Sequence, residues 1–162
     1  MARGLRTFVL GLLFVPAAAI DNGLGLTPPM GWRSWNLFAS RVNQTLLMRI
    51  MDKIVERKRM VDGVATSLCD LGYCDVGLDD AWQACGTGTN GLQYHTVDAD
   101  GTSHPNINYT RFPDLRQMTD HAHALGLTAG WYGNNCICKE TKDVMSAVYM
   151  GDVIATVGLG FD

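Results

Sequence analysis

Residues 73–82 read YCDVGLDDAW, and this stretch decides the fold class. Its first six residues form an apolar run that only Asp75 interrupts, which is typical of a strand buried on both faces. Asp79 and Asp80 follow directly, at the carboxyl end of that strand. Strands buried on both faces occur mainly in parallel sheets that helices cover, so the stretch predicts an α/β fold.

Strand and helix patterns alternate on both sides of this stretch. Further strands are predicted at residues 31–36 and 127–132, and a fourth is expected to begin at Phe161. The predicted helices carry apolar residues at helical spacing and end at glycine or polar residues. They are a helix that opens at Asn43 and runs to Val55, a short one at residues 66–71 after a break at residues 61–63, one at residues 115–125, and one at residues 143–157.

A long excursion follows the second predicted strand. Turn signals surround the alternating segment 92–97, which predicts a small inserted β-hairpin. Repeated βα units require a parallel sheet, either an open doubly wound sheet or a closed (β/α)8 TIM barrel. No glycine-rich phosphate loop follows the first strand, which favours the barrel. Such a barrel needs about 250 residues, so we expect about the first three of its eight βα units here.

The amino terminus predicts secretion. Arg3 and Arg6 precede an apolar run and three alanines at residues 17–19, the pattern of a signal peptide with an A-x-A cleavage site. We expect residues 1–19 to be removed and the remainder to be soluble, because the apolar run is shorter than the roughly 20 residues of a membrane-spanning helix. The expected destination is extracellular, vacuolar or lysosomal. Sequons at Asn43 and Asn108 predict N-glycosylation on that route.

Charge and residue counts exclude several classes of protein. A net charge of -3 does not provide the basic surface that binding of nucleic acid requires. Five cysteines cannot all pair within the chain, so one thiol is either free or has its partner elsewhere, and their spacings fit no zinc template. His121 and His123 lie two apart on a predicted helix and do not share a face. His95 and His104 fall in the inserted hairpin, where we expect them to be exposed, so no metal site is predicted.

Each predicted strand ends in side chains suited to holding a sugar, and active sites of barrels lie at these carboxyl ends. Taken singly, the tryptophans have an ordinary explanation as core residues and the aspartates as turn or capping residues. Their grouping at three successive strands favours a carbohydrate site, with aromatic rings for the C–H face and carboxylates or amides for the hydroxyls. The candidates are Trp32 and Trp35, then Asp79, Asp80 and Trp82, then Trp131, Tyr132, Asn134 and Asn135.

Asp79 and Asp80 are assigned to binding rather than catalysis. A retaining glycosidase needs two carboxyl groups about 5 Å apart that flank the scissile bond. Neighbours on an extended strand point to opposite faces, so this pair is poorly placed to flank one bond.

Four motifs together resemble one family: TPPMGWRSWN at residues 27–36, the stretch at residues 73–82, RFP at residues 111–113 and GLTAGWY at residues 126–132. In this order and spacing they resemble glycoside hydrolase family 27, the α-galactosidases and α-N-acetylgalactosaminidases. The resemblance implies that residues 20–162 are the amino-terminal part of a (β/α)8 catalytic domain. It also implies a retaining double-displacement mechanism, an α-galactoside carbohydrate as substrate, and no metal or organic cofactor.

The resemblance assigns roles to four residues. Trp32 resembles the family tryptophan under the galactose ring, Asp79 and Asp80 resemble the pair that binds its outer hydroxyls, and Tyr132 resembles the tyrosine beside the nucleophile. The family nucleophile, in a Lys-x-Asp motif on strand four, and the acid/base on strand six are expected beyond Asp162. No catalytic carboxylate is therefore assigned within this chain, which alone should be inactive.

The chain departs from the family pattern at Ala81, where a cysteine is common, at Asn134, where an aspartate is common, and in a longer first helical region. Related enzymes place a cysteine just after the nucleophile, which implies a disulfide from it to Cys136 or Cys138. Cys85 is then expected to pair with the other of the two.

Three functions are compatible with these observations. The leading one is a retaining α-galactosidase that removes terminal α-galactosyl residues from glycans or glycolipids. The alternatives are a noncatalytic galactose-binding relative and an α-N-acetylgalactosaminidase.

Overall fold

The structure is a computed structural model that describes residues 23, 26–133, 137–140 and 146–162. The signal peptide predicted at residues 1–19 lies outside the described residues, as do Asn134, Asn135 and Cys136. Along the chain the elements are strand β1 (Gly31–Arg33), helices α1 (Trp35–Phe38) and α2 (Gln44–Val55), strands β2 (Arg59–Val61), β3 (Val64–Thr66), β4 (Asp75–Leu78), β5 (His95–Val97) and β6 (Ser103–Pro105), helix α3 (Leu115–Ala124), strand β7 (Thr128–Trp131) and helix α4 (Ser146–Gly158).

Strands β1, β4 and β7 form a parallel sheet in that order, which confirms the three predicted strands and the α/β fold class. The central strand β4 is the one with the buried apolar run. Val76 lies opposite Trp32 on one side and Ala129 on the other, and both Val76 and Ala129 are buried. Helices α2 and α3 make the two crossovers between these strands and bury their apolar faces in the same core.

Both crossover helices begin at a side-chain cap. The Asn43 side-chain oxygen accepts a hydrogen bond from the Leu46 N–H at 2.9 Å, and the Asp114 carboxylate accepts one from the Gln117 N–H at 2.9 Å. Such caps satisfy backbone donors that the first helical turn leaves unpaired. The sequence-based prediction of both helices is confirmed. Their buried residues include Leu47, Met51 and Ile54 in α2 and Leu115, Met118 and Ala122 in α3.

The segment between α2 and β4 differs from the prediction of a short helix at residues 66–71, which is wrong. Strands β2 and β3 form an antiparallel hairpin, and only Cys69–Leu71 form a short 3₁₀ turn. Asp62 and Gly63 have φ angles of 49° and 80°, the left-handed conformation that a two-residue hairpin turn requires. The predicted break at residues 61–63 is this turn. A disulfide that was not predicted joins Cys69, in the 3₁₀ turn, to Cys74.

The hairpin predicted in the long excursion is confirmed as β5 and β6, which pair antiparallel. Helix α4 lies across β6. A Cβ atom on Gly151 would lie 2.3 Å from the Ser103 carbonyl oxygen, so glycine is what permits this close approach. None of the helices within the described ranges is both long and apolar enough to cross a bilayer.

Candidate functional site

The carboxyl ends of the three parallel strands meet at one edge of the sheet, as the sequence predicts. Arg33 lies opposite Gly77, and Leu78 lies opposite Trp131. The residues that follow these strand ends are Ser34, Asp79, Asp80 and Tyr132. Of the four site residues assigned from the sequence, Asp79, Asp80 and Tyr132 are therefore brought together at this edge.

Asp79 is held from three directions by neighbouring groups. Its backbone N–H donates to the Ser34 hydroxyl oxygen at 2.9 Å, which ties the end of β4 to the end of β1. One carboxylate oxygen accepts from the Asp80 N–H at 2.8 Å, and the other accepts from Arg33 Nε at 3.3 Å. The side chain is 16% exposed, so an incoming hydroxyl can still reach it.

Asp80 is almost fully buried, with 2% of its surface exposed. One of its carboxylate oxygens accepts from the Ala81 N–H at 2.8 Å and the other from the Ile137 N–H at 2.9 Å. A buried charge needs such partners, and these two fix the orientation of the carboxylate. Each oxygen can accept a further hydrogen bond, because an ionised carboxylate offers about four acceptor positions.

The two tryptophans near β1 have different surroundings. Trp32 packs against the core, and its ring makes an edge contact with Phe38 at a centroid distance of 5.9 Å. Trp35, which the sequence analysis named beside it, is 39% exposed. Of the two, Trp35 offers more surface to a ligand.

Trp82 is a core residue rather than part of an open site. Its ring is buried, makes an edge contact with Tyr94 at 5.7 Å and lies 4.4 Å from the Trp131 ring. Its indole N–H donates to the Tyr132 carbonyl at 3.0 Å. This bond holds the backbone after β7 in place and leaves the Tyr132 side chain half-buried at the strand end.

A cavity of about 750 Å³ lies against the strand face that carries Arg33, and its lining includes Gly31, Gly77 and Gly130. The Arg33 side chain crosses Gly77, where a Cβ atom would lie 2.7 Å from Arg33 Nη1. The glycine on β4 thus gives the guanidinium room to reach Asp79.

The segment 137–140 closes one side of the site and is anchored to the inserted hairpin. Cys138 forms a disulfide with Cys85, with a Cα–Cα distance of 5.3 Å. This confirms the expectation that Cys85 pairs with Cys136 or Cys138, and it identifies Cys138 as the partner. Cys136 is then left for the expected disulfide to a cysteine just after the nucleophile. Cys136 lies outside the described residues, so that disulfide stays a prediction.

Glu140 and His95 form a buried ionic cluster with Asp152 behind this segment. The Glu140 side chain is 1% exposed, and its carboxylate accepts from the Gln93 N–H at 2.6 Å, the Tyr94 N–H at 3.1 Å and His95 Nδ1 at 3.0 Å. His95 Nε2 lies 3.0 Å from an Asp152 carboxylate oxygen. Because both ring nitrogens face carboxylates, which only accept hydrogen bonds when they are ionised, the geometry favours the doubly protonated imidazolium.

Burial alone would lower the pKa of His95, but the hydrogen bonds to Asp152 and Glu140 outweigh it and raise the pKa above its ordinary value. Burial would likewise raise the pKa of Glu140, yet the bonds from His95, Gln93 and Tyr94 lower it. Both shifts favour the charged forms.

Several of these residues were not identified from the sequence. Arg33, Ser34 and Glu140 carry no local signal, because their partners lie 45 to 47 residues away along the chain. The expectation that His95 is exposed is wrong, whereas His104 is exposed as expected. Within the part of the chain that the structure describes, no three His, Cys, Asp or Glu side chains converge as metal ligands would.

Comparison with known proteins adds relatives at 33–42% identity, all of them α-galactosidases, which are glycoside hydrolases. The "Probable alpha-galactosidase" of Dictyostelium discoideum is 35% identical over 132 residues, which cover 82% of this chain and 29% of that protein. The chain spans less than a third of the length of the curated relatives it matches. No protein-family model matches it.

Two solved structures extend the comparison. The α-galactosidase I of Mortierella vinacea superposes with a TM-score of 0.60 at 27% identity, covering 88% of this chain and 31% of that one. The α-galactosidase of Saccharomyces cerevisiae, solved with raffinose, superposes with a TM-score of 0.50 at 33% identity, covering 68% of this chain and 20% of that one.

Proposed function

We infer that this chain, which belongs to the α-galactosidase family, forms the galactose-binding part of a retaining α-galactosidase. That enzyme would hydrolyse terminal α-galactosyl residues of glycans or glycolipids. The observation that carries the proposal is the pair of adjacent carboxylates, Asp79 and Asp80, held in fixed orientations at the carboxyl end of the central strand.

The proposed scaffold is a (β/α)8 barrel of which residues 20–162 supply the first units. Support comes from the sheet, whose order β1–β4–β7 follows the chain as it does in a barrel. Further support comes from the edge of β7 that faces away from β4. There the Asp162 N–H donates to the Ala129 carbonyl at 3.0 Å, and the Phe161 ring stacks on Trp131 at 4.9 Å. This is how a fourth parallel strand would begin.

In this proposal the described residues bind and orient the sugar, and the bond-breaking carboxylates come from elsewhere in the barrel. Sugar hydroxyls donate to Asp79 and Asp80, which gives charge-assisted hydrogen bonds. By the family resemblance Tyr132 lies beside the nucleophile, and a tryptophan covers the C–H face of the ring. The family resemblance assigns the tryptophan under the sugar ring to Trp32, whereas the greater exposure of the Trp35 side chain favours Trp35.

The test uses the protein made from the complete transcript and an aryl α-galactoside as substrate. Asp79→Ala and Asp80→Ala should each lower kcat/KM by roughly 10- to 100-fold, because each removes a hydrogen bond between a hydroxyl and a charged group. Asp120→Ala is the matched control, since Asp120 is an exposed aspartate that pairs with Arg116 on α3. Unchanged constants for both site variants would contradict the proposal.

Two further comparisons in the same assay separate the remaining alternatives. Trp35→Ala and Trp32→Ala, each checked for folding by its melting temperature, assign the stacking role to the variant with the larger increase in KM. An aryl α-N-acetylgalactosaminide assayed in parallel distinguishes the two activities of the family. Binding of galactose without hydrolysis of either substrate would favour the noncatalytic relative.

A further inference from the structure

We propose that Glu140 is a positioning residue for Asp80, acting through the segment 137–140. The inference rests on the proposed role of Asp80 in binding the sugar. It gives the inserted hairpin a function, because the groups that hold Glu140 belong to that hairpin and to the residues that precede it.

The link to the site is one backbone hydrogen bond. The Ile137 N–H donates to a carboxylate oxygen of Asp80 at 2.9 Å, while the other oxygen accepts from Ala81, its own neighbour. Ala81 is the next residue in the chain and moves with Asp80. Its N–H therefore cannot by itself fix the position of the carboxylate relative to the rest of the sheet edge. Among the hydrogen bonds described for this carboxylate, the one from Ile137 comes from a separate segment of the chain.

The position of Ile137 depends in turn on two anchors. Cys138 is bonded covalently to Cys85, which precedes the hairpin. Glu140 forms the second anchor, because its carboxylate receives the backbone N–H groups of Gln93 and Tyr94 and the ring of His95. A disulfide alone fixes one point and leaves the chain free to rotate about it. The Glu140 anchor fixes a second point two residues further on, which defines the direction of the segment.

A small rotation of this segment would move the Ile137 N–H away from Asp80. Binding geometry in active sites is held to about 0.5 Å, and an error of about 1 Å is enough to weaken function substantially. Removal of Glu140 therefore should not abolish folding around the disulfide, but it should release the Asp80 carboxylate from its binding orientation.

The test is a double-mutant cycle between Glu140 and Asp80 in the protein made from the complete transcript, again with an aryl α-galactoside. Glu140→Ala should raise KM about tenfold and change kcat less, as expected for lost binding that is shared by ground and transition states. In an Asp80→Ala background the same Glu140→Ala change should raise KM less than about twofold, because coupled residues are not additive. Glu140→Gln, which keeps one acceptor oxygen, should lie between Glu140→Ala and the wild type.

Glu56→Ala is the matched control, because Glu56 pairs with Lys53 and Lys58 away from this sheet edge. An equal effect of Glu140→Ala with and without Asp80 would overturn the proposal and leave Glu140 a purely structural residue. If Glu140→Ala does not fold, the cycle is run with Glu140→Gln and Asp80→Asn, and additivity again overturns it. If instead the proposed function is wrong, the Asp80→Ala variant will have the same KM as the wild type, which distinguishes that outcome from the ones above.

Discussion

Gly77 leaves the room that the Arg33 side chain occupies on its way to Asp79. An alanine Cβ there would lie 2.7 Å from Arg33 Nη1 and 2.9 Å from its Cγ, so the side chain would have to move. We expect Gly77→Ala to fold but to break the Arg33–Asp79 ion pair and raise KM about two- to fivefold, the range for a partly exposed pair. Steady-state kinetics on the α-galactoside checks this. Gly158→Ala is the control, since its added Cβ would meet no atom within 4 Å apart from its chain neighbours and the backbone of its own helix.

The raised pKa of His95 predicts that the stability of the fold depends on pH. Because its folded-state pKa is raised, its contribution is fully present below its ordinary pKa of 6.5 and is lost as the pH rises through the folded-state pKa. The lowered pKa of Glu140 adds a contribution that is present above 4.5 and is lost as the pH falls through the lowered pKa. The cluster therefore stabilises the fold most between these two values.

Melting temperatures measured from pH 5 to pH 9 test this expectation. The wild type should lose stability above pH 6.5, and His95→Gln should show a flatter profile. His104→Gln should follow the wild type, because His104 pairs with Asp98 on the exposed side of the same hairpin. Parallel profiles for the wild type and His95→Gln would contradict the assignment.

Helix α4 and strand β6 approach so closely that one element cannot shift without the other. An added Cβ at Gly151 would lie 2.3 Å from the Ser103 carbonyl oxygen, which is backbone and cannot rotate away. Gly151→Ala should push α4 from the hairpin and destabilise the protein by about 1–3 kcal/mol, the range for overpacking. A melting temperature equal to that of Gly158→Ala would show that the two elements separate freely.

Elements with strong local signals were predicted well, and those fixed by distant partners were not. Helix α2 has both a capping residue, Asn43, and an apolar stripe, so its start and its buried face follow from the sequence. Strands β2 and β3 have three residues each and expose valines, so period-two alternation could not reveal them. The turn Asp62-Gly63 was the usable signal.

The same distinction explains the candidate site. Asp79 and Asp80 could be located because they directly follow a buried strand. The burial of His95 could not, because it depends on Glu140 and Asp152, which lie 45 and 57 residues further along the chain.

On the scale of the whole molecule, the signal pattern and the sequons predict a secreted glycoprotein. Asn43 caps α2 through its side-chain oxygen, so its amide nitrogen can carry a glycan without loss of the cap. Expressed in a eukaryotic secretory host, the protein should reach the medium and lose mass on treatment with an N-glycosidase. Asn43→Gln and Asn108→Gln should each remove one glycan. Retention in the cytosol with no change in mass would contradict the prediction.

The bond between Cys85 and Cys138 gives the site a dependence on its surroundings. Thiols stay reduced in the cytosol and are oxidised to disulfides in the secretory lumen. In a reducing environment segment 137–140 would therefore lose its covalent anchor and keep the hydrogen bonds of Glu140 and the one between Ile137 and Asp80. The orientation of the Asp80 carboxylate should therefore depend on the redox state of the compartment in which the protein folds.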